Sequence, residues 1–282
     1  MDRKVKIIVC CHKEGKVASE EPYMPIHVGK CLSDKDLGIQ GDDTGQSISH
    51  KNGSYCELTG MYWAWKNLGE ADIVGLCHYR RYFDFHGQIS RWHESDAFRW
   101  ERFDEIDLSI PEDILERIRD GVALAPNKRW YITDLYHDYC FCHISEDLKT
   151  LGRVIKKETP DYWDAFNRVM WENNGMSHYN MFIMSRKDFD IYSDWLFRVL
   201  GEVECQTDIS NYKNGQDRIY GFMGERLLNV YFRARNIKVI RRPVILFDDN
   251  TANTSTLNLM QKRVRGWLAS RLSRRLDKNY DI

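Results

Sequence analysis

Short, unbroken apolar runs recur along the chain with amphipathic stretches between them, and this alternation constrains the fold more than any other feature. Residues 5–11 (VKIIVCC) form the first run; residues 73–77 (IVGLC), 122–125 (VALA) and 181–184 (MFIM) form the others. Such runs, rich in β-branched residues and lacking polar alternation, suit strands covered on both faces. Between them, apolar residues return at helical spacing. Residues 55–68 carry Leu58, Met61, Tyr62, Trp65 and Leu68, and residues 111–119, 159–171, 185–200 and 221–235 continue the pattern. Pro160 suits a first helical turn. Ser185, with Asp188 three residues on, resembles a capping box. Residues 238–247 read as one or two last strands interrupted by Pro243. Strands alternating with helices predict an α/β domain with a mostly parallel central sheet. Ligands bind beyond the carboxyl ends of strands in such sheets, which places His12, the segment after Cys77 and the segment after Met184 around one crevice.

Composition narrows the function. The chain has 282 residues and a formal net charge of −1, so a general nucleic-acid binder, which carries a basic excess, is disfavoured. No apolar run reaches the roughly 18 residues of a membrane-spanning helix. The opening stretch is too short for a signal peptide, and the eight cysteines read as reduced thiols in a cytoplasmic protein. Charge is nonetheless uneven. Residues 262–278 hold seven Lys/Arg against one acid, a local +6. There Val264, Leu268, Leu272 and Leu276 recur every fourth residue with Trp267 beside them, the pattern of a basic amphipathic helix that lies on an anionic membrane surface. We therefore expect a single domain over residues 1–250 and an amphipathic tail over 251–282.

Three motifs carry chemistry. His78-Tyr79-Arg80-Arg81-Tyr82-Phe83 follows the second strand. Adjacent arginines in an extended segment point to opposite faces, so at least one aims into the crevice, where a guanidinium suits phosphate. Tyr79 and Tyr82 offer faces for a base or sugar; the plain alternative is a solvated basic turn. Gly41-Asp42-Asp43-Thr44-Gly45 places two carboxylates in a loop able to hold a hard cation or a ribose hydroxyl, against the alternative of a solvated turn. Gly224-Glu225 stands where residues 221–235 begin a helix, and a carboxylate there acts as a general base or complements the helix dipole. P-loop, GxGxxG, GxSxG and HExxH patterns are absent, which weakens the corresponding enzyme classes.

These motifs, with residues 6–13, 23–29, 42–52, 55–67 and 180–184, resemble a family of bacterial capsule, exopolysaccharide and O-antigen glycosyltransferases whose shared domain was long catalogued only as of unknown function. The resemblance spans about residues 4–247 and leaves the tail outside. It implies a GT-A-like (Rossmann-like) fold and a UDP-sugar donor, galactose in its furanose or pyranose form, transferred with inversion to a lipid-linked glycan acceptor at the inner-membrane surface. On this resemblance His12, Asp42, Asp43, Asn52, Glu57, His78, Tyr79, Arg80, Arg81 and Asn180 bind the nucleotide-sugar. Glu225 and Arg218 are catalytic, and His178 and Tyr179 meet the acceptor. No tightly bound cofactor is implied. The HYRRYF segment sits where many GT-A enzymes carry an Asp-x-Asp metal motif; here arginines replace it, and Asp42, Asp43 or Asp84 are left as candidate ligands for Mn or Mg. Two other functions stay open: a sugar-1-phosphate transferase, releasing UMP, and a non-catalytic glycan- or nucleotide-binding module.

Overall fold

A computed structural model describes residues 3–89 and 94–252, together with positions 264 and 268 of the tail. Its strands are β1 (Val5–Cys11), β2 (Tyr23–His27), β3 (Gln40–Gly41), β4 (Ile73–His78), β5 (Arg81–Phe83), β6 (Ser95–Phe98), β7 (Val122–Pro126), β8 (Arg129–Trp130), β9 (Gly175–Met176), β10 (Phe182–Ser185), β11 (Lys238–Arg242) and β12 (Val244–Phe247). Its helices are α1 (Asn52–Tyr55), α2 (Leu58–Asn67), α3 (Glu112–Arg117), α4 (Leu135–Cys142), α5 (Ser145–Glu158), α6 (Trp163–Trp171), α7 (Arg186–Cys205), α8 (Ile219–Ala234) and α9 (Asp249–Ala252).

The central sheet runs β11-β7-β10-β4-β1-β2-β3. All its pairings are parallel except those of β10, which lies antiparallel between β4 and β7. The apolar runs are central strands, as their composition predicts. Along β1, Ile8 and Cys10 face a core shared with α2, α5, α6, α7 and α8, while Ile7, Val9 and Cys11 face a second core under β5, β12 and α3. Period two divides the run between the two layers. Gly75 in β4 allows this packing: a Cβ there would stand 2.5 Å from Ile7 Cδ1 and 3.1 Å from the Phe182 carbonyl.

Several boundaries differ from expectation. The helix expected over residues 55–68 breaks at Cys56, whose φ of 53° ends α1 before α2 begins at Leu58. Pro160 opens a 3-10 turn ahead of α6. Ser185 does cap α7, accepting the Asp188 N–H, but the helix runs to Cys205. Pro243 separates two strands with different partners: β11 lies parallel to β7, whereas β12 turns away to pair with β5 and β6. The structure adds α4 and α5, which the sequence reading does not include. Of the tail residues read as membrane-facing, Val264 and Leu268 are helical and half-exposed, at 55% and 50%; Trp267, Leu272 and Leu276 lie outside the described residues. Among the described residues no helix is long and apolar enough to cross a membrane.

Candidate active site

β1 and β4 run parallel and end at Cys11 and His78, and the antiparallel β10 starts beside them with Phe182 opposite Leu76. His12, the segment 78–81 and the loop 177–181 therefore share one edge. The loop reaches it through two left-handed residues, Tyr179 (φ 72°) and Asn180 (φ 53°); Asn tolerates this conformation, and Tyr needs outside support to hold it. The support is visible. His78 Nε2 donates to the Tyr179 carbonyl at 2.6 Å, and Arg129 donates to the Tyr179 hydroxyl at 2.8 Å while gripping Glu94 through two bonds of 2.7 Å. Burial, then the nearby Arg81 charge, hold His78 at a pKa of about 3. His78 is thus a neutral, buried strut for the loop, with its Nε2 taken by the Tyr179 carbonyl.

The two arginines of the HYRRYF segment diverge as an extended backbone requires. Arg80 lines an open cleft of about 670 Å³ with Lys13, Lys16, Tyr79, Trp100 and Phe247. Trp100 stacks between Tyr79 (6.1 Å between ring centres) and Phe247 (5.5 Å), giving the cleft an aromatic wall. Arg81 turns inward, its guanidinium 4.7 Å from the centre of the Tyr179 ring, and its buried Nε has no hydrogen-bond partner. Tyr82 takes no part: its ring is buried and its hydroxyl accepts the Ala18 N–H. A third guanidinium, Arg218, donates to Cys56 Sγ at 3.2 Å. His12 packs edge-on against Tyr79, and its pKa is lowered by burial and then by the charges of Lys13, Arg80 and Arg218. None of these cations except Lys16, which pairs with Asp104, has a carboxylate salt-bridge partner among the described residues. A buried, unpaired guanidinium is costly unless an anion comes to it.

Two carboxylates lie beneath. Glu225 projects from the second turn of α8, not from its start. It accepts the Tyr179 N–H at 2.7 Å and His178 Nδ1 at 3.3 Å, with Arg226 at 3.6 Å. Burial alone would raise its pKa; His178, Arg226 and the Tyr179 amide outweigh that and hold it at about 2. A carboxylate can only accept, so Nδ1 of His178 carries a proton, and Nε2 is hydrogen-bonded to the Tyr131 hydroxyl. Glu57 stands at the start of α2, just after the left-handed Cys56, and accepts Asn180 Nδ2 at 2.7 Å. Its pKa is raised, by burial first, with the Glu225 charge adding to it. Asn180 Oδ1 is buried without a partner.

Other expected site residues hold the fold together. Asp42 is fully buried and accepts the N–H groups of Gly29 (2.9 Å) and Lys30 (3.1 Å) and the Ser49 hydroxyl. Asn52 donates to the Cys56 carbonyl at 2.7 Å and to Thr59 at 3.0 Å, bracing the break between α1 and α2. Asp84 accepts three backbone N–H groups, from His86, Gln88 and Ile89. Asp43 is left exposed on the loop. These acids do not form a cation cage: Asp42 and Asp84 are engaged by fixed donors, and no group of three His, Cys, Asp or Glu gathers among the described residues. Sequence reasoning missed Trp100, Arg129 and Tyr131. Trp100 and Tyr131 lie in stretches with no readable period, and Arg129 is identified only by its contacts.

Three comparisons set this site among known proteins. The fold matches a solved structure titled "WbbM bifunctional glycosytransferase apo structure" with a TM-score of 0.77 and 28% identity, over 87% of this chain. The chain spans 46% of that protein, so the match is to one part of a larger molecule. No curated protein matches. Residues 6–236 match the family described as "Domain of unknown function (DUF4422)", and because the match covers most of its length, the chain belongs to that family.

Proposed function

We propose that this protein is a glycosyltransferase that takes a hexose, galactose in its furanose or pyranose form, from a UDP-sugar and passes it with inversion to a glycan acceptor of a surface polysaccharide. The observation that carries this reading is the set of cations at the sheet edge: Arg80 and Arg218 act on His12, Arg81 lies inward over the Tyr179 ring, and none of the three arginines has a carboxylate salt-bridge partner among the described residues, beside an aromatic-walled cleft that Arg80 lines. That arrangement suits a nucleoside diphosphate, with the base on Tyr79 and Trp100 and the phosphates on the guanidinium groups. The likeness to WbbM supports the same class of reaction.

In this reading the acceptor hydroxyl attacks the anomeric carbon as its proton passes to a carboxylate, and the bond from that carbon to the diphosphate oxygen breaks. The electron pair leaves with UDP, and the arginines neutralise it. His178 and Tyr179 line the acceptor side, above Glu225. The basic tail holds the enzyme on the cytoplasmic face of an anionic membrane, where a lipid-linked acceptor would be found; loss of liposome binding on deleting residues 262–282 is expected, and retained binding would remove the tail from that role.

The test is nucleotide release from a panel of UDP-, GDP-, dTDP- and CMP-sugars, with and without EDTA. Slow release of UDP from one galactose donor is expected, and it should persist in EDTA because guanidinium groups replace the Asp-x-Asp ligands. UMP as product would indicate a sugar-1-phosphate transferase. UDP binding without release from any donor would indicate a binding module.

A further inference from the structure

We propose that Glu57, and not the better-recognised Glu225, is the group that takes the acceptor's proton, and that Glu225 is a positioning residue for the loop bearing His178, Tyr179 and Asn180. The assignment rests on the glycosyl-transfer reading above and refines it.

Geometry separates the two acids. Both Glu225 oxygens are committed: Oε1 to the Tyr179 amide, Oε2 to His178 and Arg226. An incoming hydroxyl would have to displace one of these donors, and a carboxylate so well solvated by its surroundings is a weak base. Its bonds instead explain how a left-handed Tyr179 is held in place. The one donor from another residue that Glu57 accepts is Asn180, through Oε1; its own backbone N–H is the other group that favours the carboxylate by hydrogen bonding. Its own backbone is anchored from two sides, since the Glu57 carbonyl accepts Cys10 Sγ from β1 (3.6 Å) and the Met61 N–H from α2 (3.2 Å). The left-handed turn at Cys56 directs the chain so that Glu57 begins the helix at the sheet edge. This is a fixed acid whose Oε2 accepts from no other residue among the described residues.

The charges around it fit a base. Arg218, ahead of α8, and Arg81, on β5, act on Glu57 as cations; Glu225 on α8, Cys10 on β1 and Cys56 are the other titratable groups that act on it. Burial, first, and then Glu225 raise its proton affinity above its ordinary value, and Asn180, its own backbone N–H and Arg218 moderate the rise. Two neighbouring acids whose surroundings push their proton affinities apart is the pattern expected when one accepts a proton and the other stays ionised. In the step itself, the acceptor O–H proton moves to Glu57 while the acceptor oxygen bonds to the anomeric carbon. The bond from that carbon to the diphosphate oxygen breaks, and its electrons leave with UDP beside Arg81 and Arg218. Proton and charge balance without a further reactant.

Glu57→Gln keeps the oxygen that accepts from Asn180, so the fold is expected to survive. The measurements are UDP release from the donor consumed by the wild-type protein, with water as acceptor, and UDP affinity by calorimetry. Glu57→Gln should lower kcat/KM about 10³-fold, abolish the loss of activity on the acid side of the pH profile, and leave UDP affinity unchanged or tighter. Glu225→Gln should lower the rate but keep that acid limb. A Glu57→Gln rate within threefold of wild type, or a tenfold weaker UDP affinity with turnover kept, would overturn the assignment while leaving glycosyl transfer intact. If the wild-type protein neither binds UDP nor releases it, the functional reading falls and takes the assignment with it.

Discussion

Asp42 and Glu57 flank the same edge of the sheet, yet their surroundings give them opposite uses. Asp42 meets two backbone amides and a serine hydroxyl, all in fixed positions, and is fully buried. Glu57 meets one side-chain amide and its own backbone N–H, and feels two guanidinium charges. The same contrast divides the arginines. Arg129 is locked to Glu94 by two bonds, whereas Arg81 keeps a buried nitrogen without a partner. A charged side chain whose hydrogen-bonding capacity is filled by the protein serves the fold. One left partly unfilled is available to a ligand that reaches it.

Asp42→Ala should break the first side of that comparison most severely. It leaves the Gly29 and Lys30 amides without their acceptor, and hydrogen bonds to a charged group are individually large. Denaturant unfolding should show a loss of about 3 kcal/mol, while UDP affinity of the protein that remains folded stays close to wild type. A loss of UDP affinity without a loss of stability would restore Asp42 to the ligand set.

Arg81→Ala tests the other side. UDP affinity is expected to fall about 30-fold, about 2 kcal/mol, because a charge-assisted phosphate contact is lost, with little change in stability. Arg129→Ala should do the reverse and destabilise the Tyr179 loop. Equal effects on binding and stability from both variants would erase the distinction between a paired and an unpaired guanidinium.

A smaller effect follows from His78. Its pKa sits near 3 in the folded protein, below the ordinary 6.5 of the unfolded chain. Between those values the unfolded state binds the extra proton, so stability is full above pH 6.5 and declines as pH falls toward 3. The slope is about 1.4 kcal/mol per pH unit from this group. His78→Gln should flatten the stability profile between pH 6 and 4, whatever its effect at pH 7. A profile of unchanged slope would mean that His78 is not held neutral.

Much of this was legible from residues alone, for reasons that differ by level. The strands β1, β4, β7 and β10 announce themselves because strands buried on both faces need uninterrupted apolar runs, and Ser185 marks a helix start by its own hydrogen bond. The fifth helix was missed although its signal is there, since Leu148, Leu151, Val154 and Ile155 are buried at helical spacing. The Asp42-Asp43 pair misled, since a local motif does not show whether a carboxylate points at water or into a ring of amides. Glu57 and Glu225 are brought together by the Asn180 loop, and no spacing along the chain encodes such a meeting. Glu225 was expected at a helix start because glycines precede it, but Gly221 and Gly224 lie inside α8, where they allow close approach of Cys56 and Leu58.

Trp100 belongs to the least legible part of the site and gives the finest test of the cleft. It lies in a short 3-10 helix over Trp100–Glu105, and its ring continues a stack formed by Tyr79 and Phe247. Phe247 ends β12 and Tyr79 follows β4, so the wall is built where the branch of the sheet meets its central strands. A nucleobase on that wall would gain stacking energy, and loss of one aromatic platform costs about 1 kcal/mol per base, about fivefold in affinity. Trp100→Ala should therefore weaken UDP by about that factor but leave pyrophosphate, which reaches only the guanidinium groups, unchanged. Trp100→Phe should recover most of the loss. If UDP and pyrophosphate weaken together, the ring supports Tyr79 and Arg80 from behind, and the base must be held elsewhere.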